Sequence, residues 1–290
     1  MATAGQWIEG ARLRTLPAAV APVLVGSGVA AWAGAFSLLK ALLALVVALA
    51  LQIGVNFAND YSDGVRGTDD DRVGPLRLVG SGAATPTAVK VAAFGCFGIA
   101  ALAGLALAVL TAQWWLLAVG MACILAAWYY TGGRRPYGYA GLGELFVFVF
   151  FGLVATCGTT FVQAGAVPEA SVWGGVATGA LASAILVANN LRDLTGDSAV
   201  GKHTLAVRLG DANTRWLYVA LVALGLFGVV QLALTSTLWA LLGLAGAVLL
   251  VGPVRLVLVG AMGRDLIRVL KLTGLGELAA AVGVFVGSWL

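Results

Sequence analysis

The chain has 290 residues, of which 61% are apolar and only 10% charged, with 17 Lys or Arg against 13 Asp or Glu. A soluble domain carries about 25% charge because water has to wet its surface, so this composition excludes an ordinary soluble enzyme. At about 20 apolar residues per span the length allows roughly eight to ten membrane crossings. An all-α membrane protein is expected, one polytopic domain over residues 1–290. The 40 glycines show no collagen-like period and read as close helix packing in lipid.

Nine apolar stretches follow one another at 16–36, 38–58, 88–110, 112–131, 142–163, 171–191, 214–235, 238–259 and 273–290. They predict nine transmembrane helices in one bundle. With a cytoplasmic N-terminus, 16 of the 17 cations fall on the inner side and only Lys40 outside, which is the orientation the positive-inside bias selects. No Lys or Arg precedes Arg12, and no signal peptide is expected. Residues 7–14 and 264–271 mix basic and apolar side chains and read as interfacial helices on the inner leaflet. Cys96, Cys123 and Cys157 lie inside apolar runs and read as packing residues. His203 is the sole histidine, which excludes a multi-histidine metal site.

Of the 30 charges, 16 lie in two Asp-rich cytoplasmic loops, 59–90 and 192–215. The first begins NDYSDGVRGTDDDR at Asn59 and the second NNLRDLTGDSAVGK at Asn189. An offset of 130 residues aligns Asn59 with Asn189, Asp63 with Asp193, Gly67 with Asp197 and Arg72 with Lys202, which reads as an internal repeat. The spacing of four puts the polar side chains on one helix face, and two such helix ends facing each other gather carboxylates in one chamber. Clustered carboxylates repel and are costly to bury, so they call for cations. Mg²⁺ suits them, since it takes oxygen ligands and shares a few carboxylates with substrate phosphates. Arg66, Arg72, Arg77, Arg192 and Lys202 in the same segments are phosphate-binding types. Acid and base together point to a Mg²⁺-bound pyrophosphate. A third inner segment, YYTGGRRPYGY from Tyr129, adds Tyr130, Tyr137, Arg134 and Arg135 for an outer phosphate or an anionic second substrate. Glu144, opening the next span, is a candidate base or a helix N-terminal acid favoured by the dipole.

These residues resemble the UbiA superfamily of membrane prenyltransferases. The resemblance runs over most of the chain, through ARLRTLP from Ala11, Asn59-x3-Asp63, Asp193-x3-Asp197, and Tyr130 with Arg134. It implies nine helices with two aspartate-rich motifs on the cytoplasmic side. It also implies Mg²⁺ held by Asn59, Asp63, Asp193 and Asp197, with Asp60 and Asp69 as further contributors. Arg72, Arg77, Lys202 and Arg134 would neutralise the phosphate, and Asp63, Asp193, Arg134 and Tyr130 would carry the catalysis. The wider superfamily has an Asp where this chain has Gly67, with Asp69 nearby instead. The finer wording, RVGPLRLV and YTGGRRPYGYAGLGELFVF, is similar to the naphthoate-prenylating branch. That branch implies a polyprenyl diphosphate donor, 1,4-dihydroxy-2-naphthoate as acceptor, and release of pyrophosphate and CO₂ on the way to demethylmenaquinone, in the bacterial cell membrane. Other acceptors such as 4-hydroxybenzoate remain open, as does a secondary transporter, which can also be built on repeats; midplane charges would be expected of one, and here the charges sit at one interface. No nucleic-acid partner is expected, and Gly175-x3-Gly179 and Gly283-x3-Gly287 read as internal helix contacts.

Overall fold

The structure, a computed structural model, describes residues 2–67 and 76–290. Among them there are helices and turns and no strand, as expected where lipid leaves each backbone polar group to be satisfied within its own segment. In chain order the helices are α1 (Ala4–Gly10), α2 (Pro17–Trp32), α3 (Leu38–Arg66), α4 (Pro86–Thr111) and α5 (Leu116–Tyr129). There follow α6 (Gly143–Ala164), α7 (Glu169–Ala199), α8 (Leu205–Leu234), α9 (Leu238–Leu258) and α10 (Arg264–Gly287). Seven of these are long and apolar enough to cross a membrane; counting the segment Ala4–Thr15 with α2, from which it bends by 50°, makes eight. The remaining expected stretch, 112–131, holds α5, an apolar helix of 14 residues, which falls short of the usual span.

Two expectations about the inner surface change. The aspartate-rich segments are not loops at their starts: α3 carries Asn59 to Arg66 as its last turns, and α7 carries Asn189 to Ala199. At 1.5 Å per residue the 29 residues of α3 and 31 of α7 reach about 43 and 46 Å. Both exceed a hydrocarbon core of about 30 Å, so the motif turns can project beyond it while staying helical. Residues 264–271 are likewise no separate interfacial helix. They are the first turns of α10, with Leu266, Val269 and Leu270 buried in the bundle.

The centre of the bundle is where α2, α7 and α10 meet, with Val25, Val29, Ala177, Ala281 and Val284 in one apolar cluster. α3 pairs with α4, and α7 with α8. Hydrogen bonds lock α2, α6 and α7 inside the bilayer: the Thr156 and Thr178 hydroxyls lie 3.0 Å apart, Thr160 Oγ1 donates to Gly26 O, and Gln163 Nε2 donates to Ser27 Oγ. Such bonds act as glue where lipid gives no hydrophobic drive. The middle of α6, Phe148–Val154, is a π-helical turn. There Gly152 meets α7 so closely that a Cβ would overlap the backbone of Gly175 and Gly179. Gly283 and Gly287 pack in the same way on the backbone around Leu242 and Trp239. Both glycine pairs are therefore internal contacts.

Candidate active site

The last turns of α3 present Asn59 and Asp63 on one face and Asp60 on another. Asp63 is buried; its Oδ1 accepts from the Tyr139 hydroxyl at 2.6 Å and its Oδ2 lies 3.8 Å from Arg77 Nη2. Asn59 Oδ1 accepts from Thr131 Oγ1 at 2.7 Å. Asp60 turns the other way and accepts the amides of Leu78 and Val79 at 2.7 and 2.9 Å. Those bonds pin the returning chain beneath α3, so Asp60 is a fold anchor; Asp60, Asp193 and Asp197 are all absent from the cavity wall, but the latter two face Arg192 and Lys202, which line it. Gly67 ends α3 in the left-handed conformation, φ 70°, which L side chains adopt at a cost; the superfamily's extra Asp would be strained there. Asp69 and Arg72 lie outside the described residues.

On α7, Arg192 grips the neighbouring Asp193 with Nε to Oδ1 and Nη2 to Oδ2, both 2.7 Å, and also donates to Asn189 Oδ1 at 2.9 Å. Asp197 is buried with Lys202 Nζ 3.6 Å from its Oδ1. Lys202 also stands 4.8 Å from the centre of the Tyr139 ring, and Arg66 5.2 Å from it. Tyr139 thereby links Asp63 of α3 with Lys202 beyond α7, held between two cations.

The segment after α5 is anchored from below. Arg66 donates to the carbonyls of Thr131 and Gly133, which makes it a clamp on this segment. The Tyr137 hydroxyl donates to Ala126 O at 2.7 Å and its ring stacks on Phe146 at 4.0 Å. Burial pushes the Tyr137 phenol well up from its ordinary range. The Tyr130 phenol is pushed up likewise, by burial first and then by the Glu144 carboxylate. Arg134 and Arg135 are exposed and do not line the cavity; the expected meeting of these two with both acidic motifs is not what the structure places there.

A cavity of about 520 Å³ joins these elements. Its polar wall holds Asn59, Asp63, Arg77, Tyr130, Asn190, Arg192 and Lys202, and its apolar wall runs past Val47, Gly104, Met121, Phe150 and Gly158 to Ala44, Leu107 and Val162. Ala44, Leu107 and Val162 belong to an apolar cluster with Val23 near the opposite end of the bundle. From Asp63 to Ala44 is 19 residues of helix, about 28 Å. The cavity is thus charged at one end and oily along most of a membrane's thickness.

Two wall residues escape the sequence reading. Arg12 lines the cavity with Nη2 buried and lacking a hydrogen-bond partner among the described residues, and its backbone is left-handed at φ 54°. A strained non-glycine residue of this kind persists only where surrounding contacts hold it. Here Asn56 donates to Ala11 O and to Thr15 Oγ1, and Gln52 donates to Thr15 Oγ1. Asn190 is the other; it stands beside the motif spacing, and only the tertiary contacts distinguish it. Tyr139, to which the sequence assigned no role, joins the site through its hydroxyl.

No three Asp, Glu, His or Cys side chains among the described residues close on one point. The donor set nonetheless fits Mg²⁺, which needs one or two carboxylates when substrate phosphates and waters complete its shell. Asn59 and Asp63 supply hard oxygens on the cavity wall, and Arg192 Nη1, buried without a partner among the described residues, is a donor ready for a phosphate oxygen.

The sequence pattern of the "UbiA prenyltransferase family" matches residues 19–269. The chain belongs to this family. Among its relatives, the 1,4-dihydroxy-2-naphthoate octaprenyltransferase of Mycobacterium tuberculosis is 57% identical over 98% of this chain and 97% of its own length. The protein of the same name from Escherichia coli is 41% identical, covering 98% and 96%. Solved UbiA folds agree at low identity. A homologue from Aeropyrum pernix superposes with a TM-score of 0.70 at 16% identity, covering 94% of this chain and 96% of its own. An Archaeoglobus fulgidus homologue bound to GPP and Mg²⁺ gives 0.66 at 13%, covering 96% and 99%.

Proposed function

We propose that the protein transfers a polyprenyl group from its diphosphate to 1,4-dihydroxy-2-naphthoate, releasing pyrophosphate and CO₂, as a step of menaquinone biosynthesis. The observation that carries this reading is one continuous cavity, cationic and acidic at one end and apolar for about 28 Å beyond it, in a chain 57% identical to a naphthoate octaprenyltransferase. Arg77, Arg192 and Lys202 bind the diphosphate oxygens. Asn59 and Asp63 from α3, with Asp193 and Asp197 from α7, hold Mg²⁺, which when bound offsets charge on the leaving pyrophosphate. Preorganised cations aimed at that charge lower the barrier to breaking the allylic C–O bond. The apolar wall houses the prenyl tail and keeps water from the allylic cation. The ring carbon bearing the carboxylate then forms the new C–C bond, and the C–CO₂ bond breaks, its electron pair restoring the aromatic ring.

On this reading the chain is one polytopic domain built on two similar halves. The motif helices α3 and α7 support the repeat, since they begin at Leu38 and Glu169 and each pairs with its successor. Nine spans with the N-terminus and the charged end in the cytoplasm agree with 16 of 17 cations on that side. The experiment is turnover by the purified protein in liposomes, with mass spectrometry of the prenylated product against a panel of aromatic acceptors. Mg²⁺-dependent product with the naphthoate is expected. Prenylation of 4-hydroxybenzoate in its place would overturn the acceptor, and no pyrophosphate release with any acceptor would overturn the reaction.

A further inference from the structure

Asn190 on the cavity wall forms a buried polar pair with Glu144 behind it, and diphosphate chemistry does not use that pair. Glu144, in the first turn of α6, is 7% exposed, and Asn190 on α7 is 6% exposed. Asn190 Nδ2 donates to Glu144 Oε1 at 2.9 Å, and Ser183 Oγ, earlier on the same face of α7, donates to the main-chain oxygen of Glu144 at 3.1 Å. These two bonds fix the start of α6 against α7. Asn190 lines the cavity, as does Tyr130, whose ring packs against Gly143 beside Glu144.

The direction of that bond has a chemical consequence. A carboxylate can only accept, so the amide must turn its NH₂ toward Glu144. The amide oxygen of Asn190 is then the end left for the cavity. Asn190 Oδ1 takes part in no hydrogen bond among the described residues, while Asn189 next to it spends its oxygen on Arg192. A site built around a committed acceptor recognises a ligand donor and rejects analogues that lack one, because the buried oxygen would otherwise stay unpaired.

We propose that Asn190, oriented by Glu144, is the specificity residue for the aromatic acceptor, taking a hydrogen bond from a ring hydroxyl. The proposal rests on the prenyl-transfer reading and adds to it the hydroxyaromatic subsite. Asn190 touches the acceptor, and Glu144 is a positioning residue that acts through it. The hydrogen bond also draws the O–H proton away from the ring, which enriches the ring carbon next to that hydroxyl, the atom that attacks the allylic cation. A diphosphate has no donor to offer at this oxygen when ionised, so the polyprenyl substrate does not compete for it.

The pair can be inverted by exchange. Asn190→Leu takes the amide oxygen away from the cavity and removes the acceptor preference, whereas Glu144→Gln alone keeps a carbonyl oxygen that accepts from Asn190 as the carboxylate does. In the double variant Glu144→Gln with Asn190→Asp, the amide introduced on α6 donates to the carboxylate introduced on α7, and an oxygen faces the cavity again. The full-length protein in lipid nanodiscs is titrated with 1,4-dihydroxy-2-naphthoate and with its monomethyl ethers, binding being followed by naphthoate fluorescence. Turnover is measured separately with each acceptor and with the polyprenyl diphosphate varied.

The wild type is expected to bind the dihydroxy acid at least ten-fold more tightly than the ether blocked at the recognised hydroxyl. Asn190→Leu should bring that ratio below three-fold, and the double variant, which keeps an oxygen at the cavity, should retain it, while the KM for the polyprenyl diphosphate stays within two-fold throughout. A pair that merely holds α6 against α7 would lower thermal stability without moving the hydroxyl-to-ether ratio, and that result overturns the proposal. So does an Asn190→Leu protein that keeps the wild-type ratio. The binding arm separates this from the reaction itself: a wild type that discriminates the ethers in binding but never releases pyrophosphate contradicts the prenyl-transfer reading and leaves the hydroxyl subsite standing.

Discussion

Arg192 holds Asp193 through two parallel hydrogen bonds of 2.7 Å each, and the same guanidinium lines the cavity with its Nη1 buried and without a partner among the described residues. One side chain therefore orients a motif carboxylate and offers a donor to the substrate. The two tasks need a planar fork, which lysine does not have. Arg192→Lys is expected to lower kcat by more than ten-fold and to raise the KM for both Mg²⁺ and the polyprenyl diphosphate. Steady-state kinetics with each varied in turn checks this; a change confined to the aromatic acceptor would contradict it.

Asp63 and Asp193 sit at matched positions of the two motif helices and each faces an arginine, Arg77 and Arg192. Replacement by Asn keeps the shape and removes the charge. Each single variant is expected to lose activity by about 100-fold or more, the scale on which removal of one preorganised electrostatic group acts. Chelation of divalent cations should abolish turnover in the wild type and Mg²⁺ should restore it. Pyrophosphate release measured across the three conditions decides the matter, and full activity in either Asn variant would remove that residue from the metal set.

Asp60 separates from them by what its oxygens do. It spends both on the amides of Leu78 and Val79, so Asp60→Asn leaves one buried amide facing an NH₂. A buried donor without an acceptor costs about 1–3 kcal/mol. The expected outcome is a lowered thermal midpoint in detergent with the Mg²⁺ dependence of the surviving protein unchanged. An altered KM for Mg²⁺ with normal stability would return Asp60 to the metal.

The fold class was legible because lipid imposes its own arithmetic: few charges, long apolar runs, and nearly all cations at one face. The two motifs were legible because Asn59, Asp63, Asp193 and Asp197 keep helical spacing. Sequence spacing says which residues share a helix face but not what lies opposite that face. Asp60 is one residue from Asn59, about 100° around the helix, and faces Leu78. Tyr139 is two residues from Tyr137, yet one hydroxyl meets Asp63 and the other Ala126 O. Asn190 and Arg12 owe their places to contacts 46 and 45 residues apart in the chain, Glu144 to Asn190 and Ala11 to Asn56. Arg134 was read by its resemblance to a motif, and its loop, clamped by Arg66, turns it to the surface.

Gly158 offers the sharpest test of what the apolar wall is for. It lies on α6, 15 residues beyond Gly143 and hence about 22 Å along the helix, on the cavity wall with open space where a Cβ would stand. A phenyl ring there projects across the path to Ala44, Leu107 and Val162 without touching the charged end. Gly158→Phe is accordingly expected to keep kcat with a short donor such as geranyl diphosphate within about three-fold and to raise the KM for a long polyprenyl diphosphate by ten-fold or more. Filling of an empty wall also leaves folding intact, so the thermal midpoint should not fall. Competition between the short and long donors in one reaction, read by mass spectrometry of the two products, gives the ratio directly. An unchanged ratio would place the prenyl tail elsewhere than along this wall.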